Sequence, residues 1–433
     1  MTAPSQNPFS KASLATFDTS WQPVTRPVGL LWLSLAFGAG LNGLSQLILV
    51  RHLDPASYGS IAAAFSAASV VTPLASLGLG GHILQRFGQE GQAARRWLFP
   101  SALCLVFSSL AAALILAGWS LIANADARIT QLTLLLIPWC IMQGSSGFLQ
   151  ALYQVEGLYP GLAAWQLAPS AGRLAAALAA FLANKSASFV AGATSLAAAA
   201  IILGQTVAFR RFTQLGKVPT NEAASTTERP SLWSVLLGSW PYAAGGSLFL
   251  IYYQSDIFIL AWLKGPRASA PYAAASLVLT FIYHFPAAVH QQYLAPKLNR
   301  WAWHDRNRLQ SVQRLALTLV TAFGIVIAVA VATTAPWAAS KLFGPAYQEA
   351  GFLLRWLAVG IPLRYLSVGL GSGLITPRQA RLRVVCQGLT AAVNVSMNLF
   401  LIPRFGALAA VASTITSETV LLFTYFWALK AAR

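Results

Sequence analysis

Residues 28–86 decide the fold: VGLLWLSLAFGAGLNGLSQLILV, then RHLDPASYG, then SIAAAFSAASVVTPLASLGLGGHILQR. The first block, Val28–Val50, holds 23 residues and no charge. At about 1.5 Å per residue it crosses a hydrocarbon core of roughly 30 Å. The polar corner Arg51–Gly59 turns the chain, and a second apolar block runs from Ser60 to Leu84 before stopping at Gln85-Arg86. The pattern returns half a chain later. Leu260–Pro266 (LAWLKGP) echoes Leu49–Pro55 (LVRHLDP), Tyr272 matches Tyr58, and Leu298-Asn299-Arg300 matches Leu84-Gln85-Arg86. Tyr to Arg is 28 residues in both copies. A length-preserving repeat at this distance predicts two similar halves.

Composition bounds the class. The chain has 433 residues, 56% hydrophobic and 9% charged, with mean hydropathy +0.60. Apolar stretches of this kind recur along its length, which excludes a soluble globular protein and predicts a polytopic membrane protein. The formal charge of +18 does not read as nucleic-acid binding, because the basic residues are scattered through short loops without a recognition motif. Cys104, Cys140 and Cys386 fall inside apolar spans and read as packing residues. No metal-ligand spacing and no ATP-binding P-loop occurs, so no cofactor is expected.

Spans are expected near Val28–Val50, Ser60–Leu84, Trp97–Ile122, Ile129–Gln154, Pro160–Ala183 and Phe189–Phe209. In the second half they are expected near Leu232–Leu263, Pro271–Ala295, Val312–Pro336, Ala350–Ile375, Leu382–Ile402 and Ala407–Leu429. Uninterrupted runs of this length are helices, not barrel strands. The predicted fold class is therefore all-α, with twelve transmembrane helices in two six-helix lobes. Residues 1–27 form a disordered cytoplasmic tail in this reading, 28–209 the N-terminal lobe, 210–231 a cytoplasmic linker and 232–433 the C-terminal lobe. Of the 29 Lys and Arg, nineteen sit in the tails and even-numbered loops, seven in the odd-numbered loops and three within spans. The positive-inside rule then places both termini in the cytoplasm. With an even number of spans per half, the halves are related by a pseudo-two-fold along the membrane normal, with the working cavity between them.

Several short motifs carry a family resemblance. Leu53-Asp54-Pro55-Ala56-Ser57-Tyr58-Gly59 resembles the L-x-P-x-x-Y-G corner of bacterial polysaccharide flippases, within the multidrug/oligosaccharidyl-lipid/polysaccharide exporter superfamily. Ser76-Leu77-Gly78-Leu79-Gly80 and Gln254-Ser255-Asp256 are similar to family features at the end of the second span and late in the seventh helix. Leu342–Tyr347 and Ile402–Ala407 resemble its L-F-G-x-x-Y and I-P-x-x-G-A signatures. The second corner departs from the pattern, with Pro271-Tyr272 where Gly-Tyr is commoner. The resemblance implies a non-enzymatic flippase of the bacterial inner membrane, working on an undecaprenyl-pyrophosphate-linked oligosaccharide for O-antigen or exopolysaccharide assembly. Membrane lipid and polysaccharide polymerase machinery are the implied partners. The same superfamily includes multidrug–cation antiporters, the competing reading, which would favour an acidic, aromatic-lined cavity. A membrane polymerase or ligase would need a large outer loop bearing Arg and His, and Pro336–Glu349 has one Lys and no His.

Moving a sugar-pyrophosphate head through hydrocarbon requires a wet cavity lined by cations. A charge at mid-membrane costs about 2.5–3.5 kcal/mol on insertion scales, so each one needs a reason. Arg173 and Arg364 lie near the middle of the fifth and tenth spans and are the candidate anion-binding groups, Arg being suited to forked phosphate bonding. Each has a structural alternative, an ion pair of Arg173 with Asp256 or of Arg364 with Glu418. Arg355 is a third substrate-binding candidate, with snorkelling to the outer interface as its alternative, since it lies only five residues into its span. Asp256 and Glu418 are candidates for ion coupling, with hydrogen bonding inside Ser413-Thr414-Ser417-Glu418 as the alternative for Glu418. Polar stripes at helical spacing, Ser34-Gly38-Asn42-Gln46 and Thr390-Asn394-Asn398, must face protein or water. Asn42, Gln46, Asn394 and Asn398 are therefore added as sugar-contacting candidates. His284 and His290, six apart, do not share a face for a metal and are expected as hydrogen-bonded interior residues. Pro241 with Gly245-Gly246, and Pro362, mark expected kinks.

Overall fold

The computed structural model describes residues 22–122, 126–215, 230–287, 306–374 and 377–431. Fifteen α-helices follow one another there. In the first half they are α1 (Gln22–His52), α2 (Pro55–Ser76), α3 (Leu79–Glu90), α4 (Leu98–Ile122), α5 (Ala127–Leu135), α6 (Ile137–Val155), α7 (Tyr159–Leu182) and α8 (Ala187–Leu215). In the second they are α9 (Leu232–Lys264), α10 (Pro266–Ala287), α11 (Arg306–Phe343), α12 (Gln348–Leu357), α13 (Gly360–Ser372), α14 (Pro377–Phe405) and α15 (Ala407–Ala431). No strand occurs among the described residues.

The pairs α5–α6 and α12–α13 are each two helices bent at a short break. Seven helical runs meet a length-and-hydropathy test for crossing a bilayer, one of them the continuous stretch 55–122, and the bent pairs α5–α6 (41°) and α12–α13 (52°) raise that to nine. Of the expected linker, 216–229 lies outside the described residues, and α8 continues past Phe209 to Leu215. His290 and Leu298-Asn299-Arg300 also lie outside them.

Large apolar side chains cover the outside, and polar side chains are buried among the apolar core. Leu33 (71% exposed), Leu114 (73%), Leu196 (75%) and Phe400 (76%) face outward, whereas Asn394, Asn398, Ser60 and Thr133 are fully buried. That arrangement suits a lipid solvent, which offers no hydrogen bonds. Local chemistry sets the corners. The Asp54 carboxylate caps α2 by accepting from Ala56 N (3.0 Å) and Ser57 N (3.1 Å), with Pro55 at the first helical position. These bonds, the Ser57 hydroxyl foremost, hold the Asp54 carboxyl below its ordinary range. Between α2 and α3 the chain turns through left-handed Leu77 (φ 48°) and Gly78 (φ 65°). At Gly78 a side chain is excluded twice, by φ and by Tyr242, whose Cβ would lie 2.5 Å from an added Cβ.

In each half the first pass packs on the fifth, α1 on α7 and α9 on α14. The halves meet where α2 lies against α9 and α10. One hydrophobic core, including Leu49, Tyr58, Leu260, Tyr272 and Tyr347, is common to both halves on the side of the Arg51–Gly59 corner. At the opposite ends the cores separate, one around Leu79, Ile83 and Trp97, the other around Leu374, Cys386 and Tyr425. The halves share one core on the corner side, and toward the tails Val235 of α9 still packs into the first half's core beside α3 and α4.

Candidate functional site

The corner side is sealed by backbone. Arg51 of α1 donates from Nε to the carbonyl of Leu342 (2.7 Å) and from Nη2 to that of Lys341 (2.6 Å), so a cation satisfies the free carbonyls at the end of α11. Gly59 lies so close to α10 that an added Cβ would stand 1.8 Å from the Pro266 carbonyl oxygen. Tyr58 meets Tyr347 edge-on at 6.1 Å.

Below this seal, α1, α2 and α7 face α9, α10 and α15 across a cavity of about 140 Å³. Its lining includes Asn42, Gln46, Arg173, Asp256 and Glu418. A groove of about 470 Å³ between α1, α7 and α10 shares Asn42 with it and continues past Ser34, Gly38 and Ser170 to His284 and Phe285. The stripe on the first span therefore faces space between the lobes. Ser34 also donates to Gln166 on α7 (2.7 Å).

Arg173 reaches into the cavity with little to neutralise it. Its Nη1 donates to Asn42 Oδ1 (3.0 Å), its guanidinium carbon lies 3.9 Å from the centre of the Phe65 ring, and its Nε has no hydrogen-bond partner. Among the described residues no carboxylate lies within ion-pairing distance, so the Arg173–Asp256 pair does not form.

Arg364 does form its alternative pair. Nη1 lies 3.3 Å from Glu418 Oε1 and donates also to the Tyr252 hydroxyl. Ser367 donates to the other carboxylate oxygen (3.2 Å). Aromatic rings surround the guanidinium, with Phe249, Tyr253 and Tyr283 centred 5.2, 5.6 and 5.5 Å away. Arg364 is 7% exposed and does not line the central cavity; Tyr252, Tyr253, Tyr283 and Glu418 stand between. The expectation that it borders the cavity is corrected by one layer of side chains.

Asp256 sits in a nest of neutral donors. Its Oδ2 accepts from Tyr272 (2.6 Å) and Thr414 (2.6 Å), and its Oδ1 from Asn398 Nδ2 (2.5 Å). Asn394 Oδ1 accepts from Asn398 (3.2 Å) and Ser255 (3.1 Å). The second polar stripe thus serves this carboxyl. Asn394 and Asn398 are fully buried and absent from the cavity wall, because α14 packs face-on against α9. Asn398 Oδ1 is buried and has no hydrogen-bond partner.

Three further expectations change. Arg355 is exposed on the amphipathic α12, away from the cavity, as its position near a span end allows. His284 is exposed rather than interior, with Nδ1 2.5 Å from the Thr280 carbonyl. The cavity wall carries one guanidinium and two carboxyls, so of the three candidate arginines only Arg173 reaches it. Sequence reasoning passed over Tyr252, Tyr253 and Tyr283, since an aromatic in an apolar span looks like core. The available signal was Tyr252-Tyr253-Gln254-Ser255-Asp256, five hydrogen-bonding residues in succession inside a hydrophobic pass.

The helical bundle around this polar cavity shares its fold with solved transporter structures. An inward-facing multidrug resistance MATE family transporter of the MOP superfamily overlays with a TM-score of 0.69 at 14% identity, covering 91% of this chain and 94% of that one. The lipid II flippase MurJ in an inward closed conformation gives 0.70 at 10% identity, covering 93% and 87%. An outward-facing MATE of the same superfamily gives 0.61 at 12% identity, covering 94% and 95%. No curated protein matches. Residues 24–298, well over half the chain, match the family described as polysaccharide biosynthesis protein, and the chain belongs to that family.

Proposed function

We propose that this protein carries an undecaprenyl-pyrophosphate-linked oligosaccharide from the cytoplasmic to the periplasmic leaflet of a bacterial inner membrane. The two lobes alternate access to the cavity between them, and both termini are cytoplasmic. The observation that carries this reading is Arg173, a guanidinium without a carboxylate partner in the cavity wall. Such a group is a ready partner for a pyrophosphate. Arg364, already paired with Glu418, acts in this reading as the support of an aromatic wall. The groove at Ser34, Gly38 and Asn42 leaves a path for the lipid tail beside the head. The 52° bend before Pro362, and Pro241 with Gly245-Gly246 in α9, are the hinges. O-antigen or exopolysaccharide assembly is the pathway this cargo would serve, with polymerase machinery downstream.

Asp256 is the candidate coupling group. It has no cation partner among the described residues, and the carboxylate, Thr414 Oγ1 and the Asn394 and Asn398 Oδ1 atoms supply oxygens for a proton or a hard monovalent cation. Glu418 is less suited, being engaged by Arg364 and Ser367. Membrane potential alone offers about 2.3 kcal/mol per negative charge per 100 mV. Vesicles in which potential, pH and sodium gradients are set separately test this. The expected result is flipping that responds to an ion gradient in the wild type and to potential only in Asp256→Asn. Wild-type flipping that responds to potential alone would remove Asp256 from the mechanism.

A multidrug–cation antiporter is the second reading, favoured by the aromatic wall and by Asp256. Its cargo would be repelled by Arg173. Arg173→Gln would then raise cation efflux, whereas on the lipid-linked saccharide reading it lowers surface polysaccharide and leaves efflux unchanged.

A further inference from the structure

On the outer face of the first lobe, α4 and α8 each pack on α6 and leave an open crevice of about 430 Å³ between them. Leu105, Val106 and Leu110 of α4, Ile141 and Phe148 of α6 and Ile202 of α8 line it. It shares no residue with the central cavity. The surface around its mouth is bilayer-facing: Val106 and Leu110 on α4, and Leu203 and Val207 on α8, are each more than half exposed. The polar side chains in its wall are already bonded. Ser145 donates to Gln205 Oε1 (2.6 Å), Gln205 Nε2 donates to the Ser146 hydroxyl (2.9 Å), and Thr206 donates to the Ile202 carbonyl (2.9 Å). A sugar or ordered water would gain little there, whereas a hydrocarbon chain gains close contact along the whole wall.

One end of the crevice is basic. The α8 residues that line it, Ile202, Gln205, Thr206 and Phe209, run straight into Arg210 and Arg211. Arg210 follows Thr206, and Arg211 follows Val207, by one helical turn, and helical side chains lean back toward the N-terminus. Both arginines are exposed, and both stand on the side of α8 that faces lipid. At this end of the lobe the Glu90 and Glu156 carboxylates are held by Arg96 (3.2 Å) and Arg95 (2.6 Å). Among the described residues Arg211 has no carboxylate within ion-pairing distance. An apolar slot that ends at exposed arginines near a membrane surface matches the two ends of an anionic lipid.

We propose that the crevice between α4, α6 and α8 seats one anionic phospholipid of the leaflet nearest the chain's tails. An acyl chain lies between α4 and α8, and the phosphate sits at Arg210 and Arg211. The lipid fills the gap between two helices that share α6 as a neighbour, so it acts as a structural part of the first lobe. The site does not depend on which cargo crosses the central cavity.

The test uses purified full-length protein in detergent, titrated with phosphatidylglycerol or with phosphatidylcholine of the same acyl chains. Native mass spectrometry should show one retained phosphatidylglycerol per chain, and the melting temperature should rise saturably by about 2 °C more than with phosphatidylcholine. Replacing Arg210 and Arg211 with Gln should lower the preference for phosphatidylglycerol about 5-fold for each arginine. Thr206→Phe, an exposed position that puts a ring in the mouth of the crevice, should lose the retained lipid whatever its headgroup. Phosphatidylglycerol with a photoreactive group in its acyl chain should label α4, α6 or α8 at the crevice, and this measurement decides should Thr206→Phe fail to fold. Equal retention of the two lipids by the wild type, or an unchanged preference in the Arg210→Gln/Arg211→Gln variant, would overturn the proposal. So would labelling confined to other helices, or a dimer that buries α4 and α8.

Discussion

Replacing Arg173 with Gln separates a transport role from a structural one, because the two predict opposite balances. On the structural side, the substitution removes one charged hydrogen bond to Asn42 at 3.0 Å and one ring contact with Phe65 at 3.9 Å. Together these are worth about 2–4 kcal/mol. Against that, it relieves the desolvation of a guanidinium with no carboxylate partner among the described residues, a penalty of several kcal/mol per ion. The melting temperature should therefore stay near that of the wild type or rise. On the transport side, a guanidinium bonding a phosphate oxygen contributes about 1.5–3 kcal/mol. Its loss weakens cargo retention about 10- to 150-fold. The assay is flipping of lipid-linked saccharide in proteoliposomes at sub-saturating cargo, alongside surface polysaccharide in cells at matched expression. Arg173→Lys keeps the charge but not the planar fork and should fall between. A variant that melts well below the wild type, yet flips normally per folded molecule, would refute the reasoning.

Other consequences are open to direct measurement. Arg364→Met or Glu418→Met should each destabilise by about 3–5 kcal/mol, while the double variant should recover most of the loss, since an orphaned buried charge costs more than no pair. Gly59→Ala should destabilise the protein by about 1–3 kcal/mol, because the new Cβ meets the Pro266 carbonyl, and so lower its melting temperature; Gly147→Ala, where nothing lies within 4 Å, should be neutral. Asp54→Ala should cost about 1 kcal/mol through the lost cap of α2, with Asn a near-complete substitute. The depressed Asp54 carboxyl contributes stability that is fully present above the unfolded pKa of about 4 and is lost as pH falls through the lower folded value. The melting temperature should therefore fall as pH drops below about 4 by more in the wild type than in Asp54→Asn.

Much of the molecule can be read directly from residue order. Charge-free runs such as Val28–Val50 force helices in lipid, because no other local structure closes its own hydrogen bonds there. The L-D-P-x-x-Y corner holds its cap and its first-turn proline within four residues, so sequence alone places it. Mid-span Arg173, Arg364, Asp256 and Glu418 stand out because each is expensive where it lies. Partnership is different. Whether Arg364 is neutralised by Glu418, 54 residues on, depends on how α13 meets α15. The face Asn394 presents depends on α14 lying flat against α9. Rotation of a helix about its axis is set by packing against neighbours distant in the chain, and periodicity states only that a polar face exists. Sequence therefore determined the helices, their order and which residues are costly to bury, while tertiary structure alone decided which charges cancel and which, like Arg173, are left facing the cavity.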